Sequence, residues 1–166
     1  MQSVLIIDTG GTFNKIYNPL NGKLEVNATS KASREIAQKW LYELEVVSII
    51  GKDSLDIDDG DRVLLLATIN LAKHQKIIII HGTDTMDITA KYLADASLDR
   101  SIILTGAMVP YSIDPIEATA NLASAYGYIN SIDSSGVYVS MNGIIGEYSN
   151  IVKDRQLGRF VAKDRV

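Results

Sequence analysis

Apolar residues come in short, dense runs along this chain, and the stretches between those runs follow a different rhythm. The runs at 4–7, 46–50, 77–80, 102–104 and 137–139 are rich in Val and Ile and too short for helices. Being apolar at consecutive positions, they predict strands buried on both faces. Between them, at 34–44, 62–72, 86–98 and 116–129, apolar residues recur at three- and four-residue spacing, which predicts helices with one buried side. Strand and helix therefore alternate. This order predicts a single α/β domain over residues 1–166, an open and mostly parallel sheet with helices on both faces and right-handed crossovers. The stretch 13–26 breaks the rhythm: Tyr17-Asn18-Pro19-Leu20-Asn21-Gly22 is a turn signal, and it predicts a β-hairpin directly after the first strand.

Composition agrees with a globular domain of this size. The chain has 166 residues, 46% of them hydrophobic and 22% charged, enough apolar surface to bury a core. A formal net charge of −4 and the lack of a basic stripe exclude a nucleic-acid partner. Lys153, Arg155, Arg159, Lys163 and Arg165 are interleaved with Asp154 and Asp164, the pattern of a solvated face. No cysteine is present, which removes disulfides, thiolate nucleophiles and cysteine-based zinc sites. No apolar run is long enough to span a bilayer, and the first residues lack the basic and apolar parts of a signal peptide, so the expected address is cytoplasmic, with no membrane partner. The cluster Asp53, Asp56, Asp58, Asp59 and Asp61 does not follow a calcium-loop register around Gly60; Asp58 or Asp59 is expected to cap a helix instead. No cofactor is expected.

The polar clusters share one location. Asp8-Thr9-Gly10-Gly11-Thr12 follows the first strand, Asp53-Ser54 the second, and His81-Gly82-Thr83-Asp84-Thr85 the third. Thr105-Gly106-Ala107-Met108 follows the fourth and Met141-Asn142 the fifth. All lie at carboxyl ends of strands, the edge where open parallel sheets bind ligands. On its own, Thr9-Gly10-Gly11-Thr12 suits a phosphate loop of the actin-like ATPase kind, or a plain turn, as well as a catalytic loop. A helix cap explains Thr85 and Asp87, but it leaves a hydroxyl and a carboxylate side by side at Thr83 and Asp84. Of the two histidines, His74 and His81, the second is expected to be a core-edge hydrogen-bonding residue.

Taken together with Thr9-Gly10-Gly11-Thr12-Phe13, Asp53-Ser54, Gly106-Ala107-Met108-Val109-Pro110, Asn121-Leu122, the segment from Gly136 to Asn142 and Lys153, the His81 block resembles the bacterial-type L-asparaginases and glutaminases. The blocks run in family order over nearly the whole chain, at spacings close to the family's amino-terminal domain. The resemblance implies a metal-independent amidohydrolase that converts L-asparagine to L-aspartate and ammonia, with glutamine a poorer substrate or none. It makes Thr12 the nucleophile, forming an acyl-enzyme, and Tyr17 of the hairpin its base. Thr83 would pair with Lys153 and Asp84 to activate the threonine or the hydrolytic water. Asp84 would hold the substrate's α-ammonium and Ser54 its α-carboxylate, while Gly11 and the Ala107 backbone frame the amide. Backbone N–H groups of Gly10, Gly11 and Thr12 would serve the oxyanion.

Two departures from the family stand out. Leu55 occupies a position that is usually polar and helps hold the substrate's amino end. A counterpart of the family's carboxy-terminal domain, which completes the neighbouring subunit's site in long members, is not expected within these residues. A site at the edge of one sheet is open, so a homo-oligomer, a dimer or higher, is expected to close it. The competing readings are a non-catalytic asparagine- or aspartate-binding module of the same fold and an actin-like phosphotransferase fragment, which the short length disfavours.

Overall fold

The computed structural model describes residues 3–40 and 43–163. The helix expected over 34–44 therefore runs partly outside the described residues, as do Asp164 and Arg165 of the terminal charge series and the first two residues of the chain. In chain order the elements are β1 (Val4–Gly10), β2 (Lys15–Asn18), β3 (Lys23–Val26), α1 (Lys31–Lys39), β4 (Glu45–Lys52), α2 (Asp59–Leu71), β5 (Lys76–Ile80), α3 (Met86–Asp95), β6 (Ser101–Thr105), α4 (Pro115–Ser131), β7 (Gly136–Met141), β8 (Ile144–Glu147), β9 (Ile151–Asp154) and β10 (Arg159–Ala162). Each expected strand and helix is present, and β2 and β3 pair as the expected antiparallel hairpin.

Six strands form the main sheet in the order β4-β1-β5-β6-β7-β8, parallel throughout except for the antiparallel β8. Alternation along the strands divides the core in two. Leu5, Ile7, Ile77, Ile79, Ile102 and Leu104 face one side, where Leu65 and Ile69 of α2 and Met86, Ala90 and Leu93 of α3 pack. Val4, Ile6, Ile78, Ile80 and Ile103 face the other, against Ile36 of α1 and Ala118, Leu122, Ala125 and Ile129 of α4. Removing such side chains from water is the main favourable term, about 1.5–3 kcal/mol for each Leu or Ile fully buried. Local signals set the helix starts. Asp58 and Asp61 form a reciprocal capping box before α2, and Asp114 accepts the Ile116 N–H with Pro115 at the first turn of α4.

Three features differ from the expectation. β4 is an edge strand with only β1 beside it, so Glu45, Val47 and Ser48 are exposed rather than buried. The crossovers do not share one hand. Both β5–α3–β6 and β6–α4–β7 step away from β1, yet α3 packs on the α2 face and α4 on the α1 face. The β6–α4–β7 connection is therefore opposite in hand to the other three, against the usual rule. Long-range polar contacts hold it there: Asn121 Nδ2 donates to the Gly106 carbonyl at 2.9 Å, and Asn121 Oδ1 accepts the Asn142 N–H at 3.0 Å. Finally, the charged terminal stretch folds as the β9–β10 hairpin, anchored by buried Ile151 and Phe160 on the α3 side of the sheet. No helix among the described residues is long and apolar enough to cross a membrane.

Candidate active site

Strand order puts a topological switch at β1, whose neighbours β4 and β5 are reached by connections on opposite faces of the sheet. The crevice outside the carboxyl ends of β1 and β5 is where such sheets bind ligands. The glycines bring three loops into contact there. Gly11 has φ +76°, and a Cβ built on it would stand 2.5 Å from the Gly82 backbone. A Cβ on Gly82 would in turn stand 2.6 Å from Ser54 Cβ. The turns bearing Thr12, Thr83 and Ser54 are thus pressed together at distances only glycine permits.

The two hydroxyls of the first turn have different employment. Thr9 is fully buried and donates to the Ile80 carbonyl at 2.8 Å, tying β1 to β5. Thr12 is half-buried and its hydroxyl has no hydrogen-bond partner among the described residues. Two of the three amides expected to serve an oxyanion are already spent: Gly10 N–H donates to Asp8 Oδ1 at 3.0 Å and Gly11 N–H to the Lys52 carbonyl at 2.9 Å. Strand pairing and the Asp8 side chain claimed them, which leaves the Thr12 N–H.

Ser54 is buried, accepts the Asp84 N–H through its hydroxyl oxygen at 3.1 Å, and accepts the Thr85 hydroxyl through its carbonyl at 2.8 Å. Thr85 precedes α3 at the cap position, but its side chain makes this tether and no cap bond. The second cluster is tighter. The Lys153 side chain is only 15% exposed, and its Nζ donates to Thr83 Oγ1 at 2.9 Å and to Asp84 Oδ1 at 2.8 Å. Arg155 NH1 reaches the same Asp84 oxygen at 2.8 Å. The Lys153 hydrogen bond, with help from Arg155, holds the Asp84 carboxyl below its ordinary range. Because Lys153 donates to Thr83 Oγ1, the Thr83 proton is free to point elsewhere. A cavity of about 150 Å³ beside this cluster is lined by Thr83, Asp84, Lys153 and Arg155 among others; Thr12 lies in the adjoining turn and not in its wall.

Ala107 is buried in the turn after β6, which Glu117 clamps by accepting the Met108 and Val109 N–H groups. Tyr17 stands apart. It is 62% exposed on β2, across from Leu24, and makes no hydrogen bond to Thr12. Three of the five aspartates in the acidic cluster stand in local pairs, Asp53 with Lys15 at 2.5 Å, Asp61 with Lys52 and Asp59 with Arg62, and Asp58 caps α2. Among the described residues no group of three or more His, Asp or Glu is placed to hold a metal ion.

Sequence reasoning missed Arg155, placing it on a solvated face. Strand parity puts Ile151 and Lys153 on one side of β9, but Arg155 lies in the turn after it, where the sequence carries no signal of its direction. Two further side chains support the loops, and of these only Asp8 was missed. His81, expected at the core edge, is buried and bridges the Gly82 carbonyl through Nδ1 at 2.7 Å and Thr89 Oγ1 through Nε2 at 2.9 Å. Burial presses its pKa down to about 4, so the ring is neutral and donates through Nδ1. Asp8 is buried beneath the first turn and accepts from Gly10 N–H and Asn14 Nδ2. Burial lifts its carboxyl to about 6, offset in part by those hydrogen bonds.

The raised Asp8 value has a stability consequence. Its contribution is fully present below pH 3.8 and is lost as pH rises through about 6, because the folded state holds the proton longer. Asp8→Asn keeps an acceptor without the charge. Its stability relative to the native chain is therefore expected to climb between pH 4 and 6 and then level off, as read by urea melts at unit pH steps. A flat difference across that range would mean that Asp8 ionises normally.

The chain is similar to known proteins along most of its length. The family model described as "Asparaginase, N-terminal" matches residues 3–158. The glutaminase-asparaginase of Acinetobacter glutaminasificans is 29% identical over 168 residues, covering 92% of this chain and 50% of that protein. The chain spans about half the length of the curated relatives it matches. Among solved structures, the thermostable L-asparaginase from Thermococcus kodakarensis superposes with a TM-score of 0.79 at 24% identity, covering 96% of this chain and 51% of that one. A probable cytoplasmic L-asparaginase from Campylobacter jejuni gives 0.77, also at 24% identity, covering 99% and 54%. At that identity the superpositions show a shared fold. The family match, running through every loop of the switch-point crevice, shows that the chain belongs to the asparaginase family and corresponds to its N-terminal domain.

Proposed function

We propose that the chain is an asparaginase-type amidohydrolase, cleaving the side-chain amide of L-asparagine through a threonine acyl-enzyme. One observation carries the reading. In a chain of this family, the Lys153–Thr83–Asp84 cluster lies against the turn that presents an unpartnered Thr12 hydroxyl. Thr12 Oγ attacks the amide carbon as its proton moves by way of the Thr83 hydroxyl, which Lys153 orients, toward the leaving nitrogen. The Thr12 N–H supports the oxyanion. The C–N bond then breaks, the nitrogen takes up the proton and leaves as ammonia, and an ester remains on Thr12. Water attacks that ester, giving one proton back to Thr12 Oγ as the acid departs. Holding both hydroxyls in one crevice supplies orientation, one contribution to the rate beside the oxyanion donor. Closure of the open crevice by a second copy of the chain belongs to the same proposal.

The test is ammonia release from L-asparagine and L-glutamine, with sedimentation run on the same preparation. Release from asparagine with less or none from glutamine is expected, by an oligomer. A thermal shift with aspartate but no ammonia from either amide would make the chain a binding module instead.

A further inference from the structure

Helix spacing makes position 62 a core position. The buried residues of α2 are Arg62, Leu65 and Ile69, yet the first is an arginine, 6% exposed. It makes an ion pair through NH1 with Asp59 Oδ1 at 3.1 Å, but the Asp59 side chain is 99% exposed. So exposed a carboxylate offsets little of the cost of taking a guanidinium out of water, and a hydrocarbon there would favour stability more. The inward part of the side chain has another partner. Arg62 Nε donates to Thr89 Oγ1 on α3 at 3.3 Å, and Thr89 Oγ1 meets His81 Nε2 at 2.9 Å. His81 Nδ1 in turn reaches the Gly82 carbonyl at 2.7 Å, one residue before Thr83.

The two ends of this chain of hydrogen bonds fix its direction. A carbonyl only accepts and a guanidinium only donates. His81 Nδ1 therefore carries a proton, and Nε2 of the neutral ring accepts the single Thr89 hydroxyl proton, which leaves the Thr89 oxygen lone pairs to Arg62. An imidazolium would need Thr89 Oγ1 as an acceptor too, in competition with Arg62 and against its charge. Arg62 from α2 opposes that proton, and Asp87 from the first turn of α3 favours it. Gly11, Thr105 and Gly106, which pack on His81 from the ends of β1 and β6, carry no charge. We propose that Arg62 is a positioning residue, which acts through Thr89 and His81 to hold the Gly82–Thr83 peptide in one orientation and so sets the Thr83 hydroxyl between Lys153 and the Thr12 turn. For its effect on rate the inference rests on the amidohydrolase reading; for its effect on His81 it rests on the hydrogen bonds themselves.

Arg62→Met puts a hydrocarbon in place of the guanidinium, so the melting temperature is expected to hold or rise. Despite that, kcat for L-asparagine is expected to fall about tenfold with KM changed less than about twofold. Nitrogen-15 shifts of His81, followed with pH, are expected to show Nδ1 protonated and Nε2 bare in the native chain at neutral pH. In Arg62→Met the midpoint of Nε2 protonation is expected to move up by at least about one pH unit. Arg62→Lys, which keeps a cation and a donor, is expected to stay closer to the native chain in both readouts. Thr89→Val cuts the same chain of bonds one step further on, so adding Arg62→Met to it is expected to lower kcat no further. Two separate packing roles would multiply instead, and that result overturns the inference. Native kcat in Arg62→Met, or a His81 titration unchanged by it, also overturns the inference and leaves the hydrolase reading standing. Ammonia from neither amide in the native chain overturns the hydrolase reading, and the His81 titration then decides this one by itself.

Discussion

Gly11→Ala is expected to lower the melting temperature by about 10 °C and to remove activity even where the protein remains folded. Two costs combine at this position. Its φ of +76° is strained for any residue with a side chain, at about 1–3 kcal/mol. The added methyl would also stand 2.5 Å from the Gly82 Cα and N, and overpacking of that kind costs a further 1–3 kcal/mol or so. For a domain of this size each kcal/mol moves the midpoint by about 2–4 °C. The strain cannot be relieved by moving a flexible side chain, because the obstacle is backbone that itself rests on Ser54. Whatever relief occurs must part the Thr12 turn from the Thr83 turn, so activity falls further than stability alone requires. Differential scanning calorimetry with the ammonia assay on the folded fraction checks both parts. An unchanged midpoint would mean that the two loops are not in contact.

Thr12→Ala is expected to do the reverse, leaving the melting temperature within about 1 °C and cutting ammonia release by at least about a thousandfold. The hydroxyl is half-buried and unpartnered, so its loss strands no buried group. In the proposed mechanism Thr12 has no substitute in its step, and removing a nucleophile from an enzyme costs several orders of magnitude. Thr9→Ala is the informative contrast, because that hydroxyl holds the Ile80 carbonyl and its removal is structural. A Thr12→Ala protein that releases ammonia at the native rate would end the covalent mechanism.

Much of this molecule was legible before folding was considered. The Val- and Ile-rich runs could only be strands, and the glycine- and threonine-rich ends of those strands marked the ligand edge. Three things resisted, each for a physical reason. β4 has the same composition as the central strands, but whether a strand lies at an edge depends on which neighbours arrive, and nothing within 46–50 records that. The hand of the β6–α4–β7 connection depends on Asn121 bonding to Gly106 and Asn142, partners 15 and 21 residues away. The terminal stretch read as a solvated face because basic and acidic residues are interleaved along it. Its apolar partners Ile151 and Phe160 are few, and the cations at Lys153 and Arg155 find their counter-charge in Asp84, about seventy residues upstream. Of the family-implied site residues, Thr83, Asp84 and Lys153 meet directly, Ser54 bonds to the Asp84 N–H, and Gly11 abuts Gly82. Tyr17 is the one the structure leaves outside, exposed on its hairpin.

The reversed fourth crossover shapes what can enter the cleft. Going from β4 through β1 and β5 to β6, the chain leaves each successive strand toward the opposite side of the sheet, to α2, α1, α3 and α4 in turn. Had α4 followed the common hand, the exits from β5 and β6 would lie side by side and roof over that end. Because they part instead, the Thr83 turn after β5 and the Ala107 turn after β6 both stand at the carboxyl edge of the sheet, with no pair of helices leaving side by side above them.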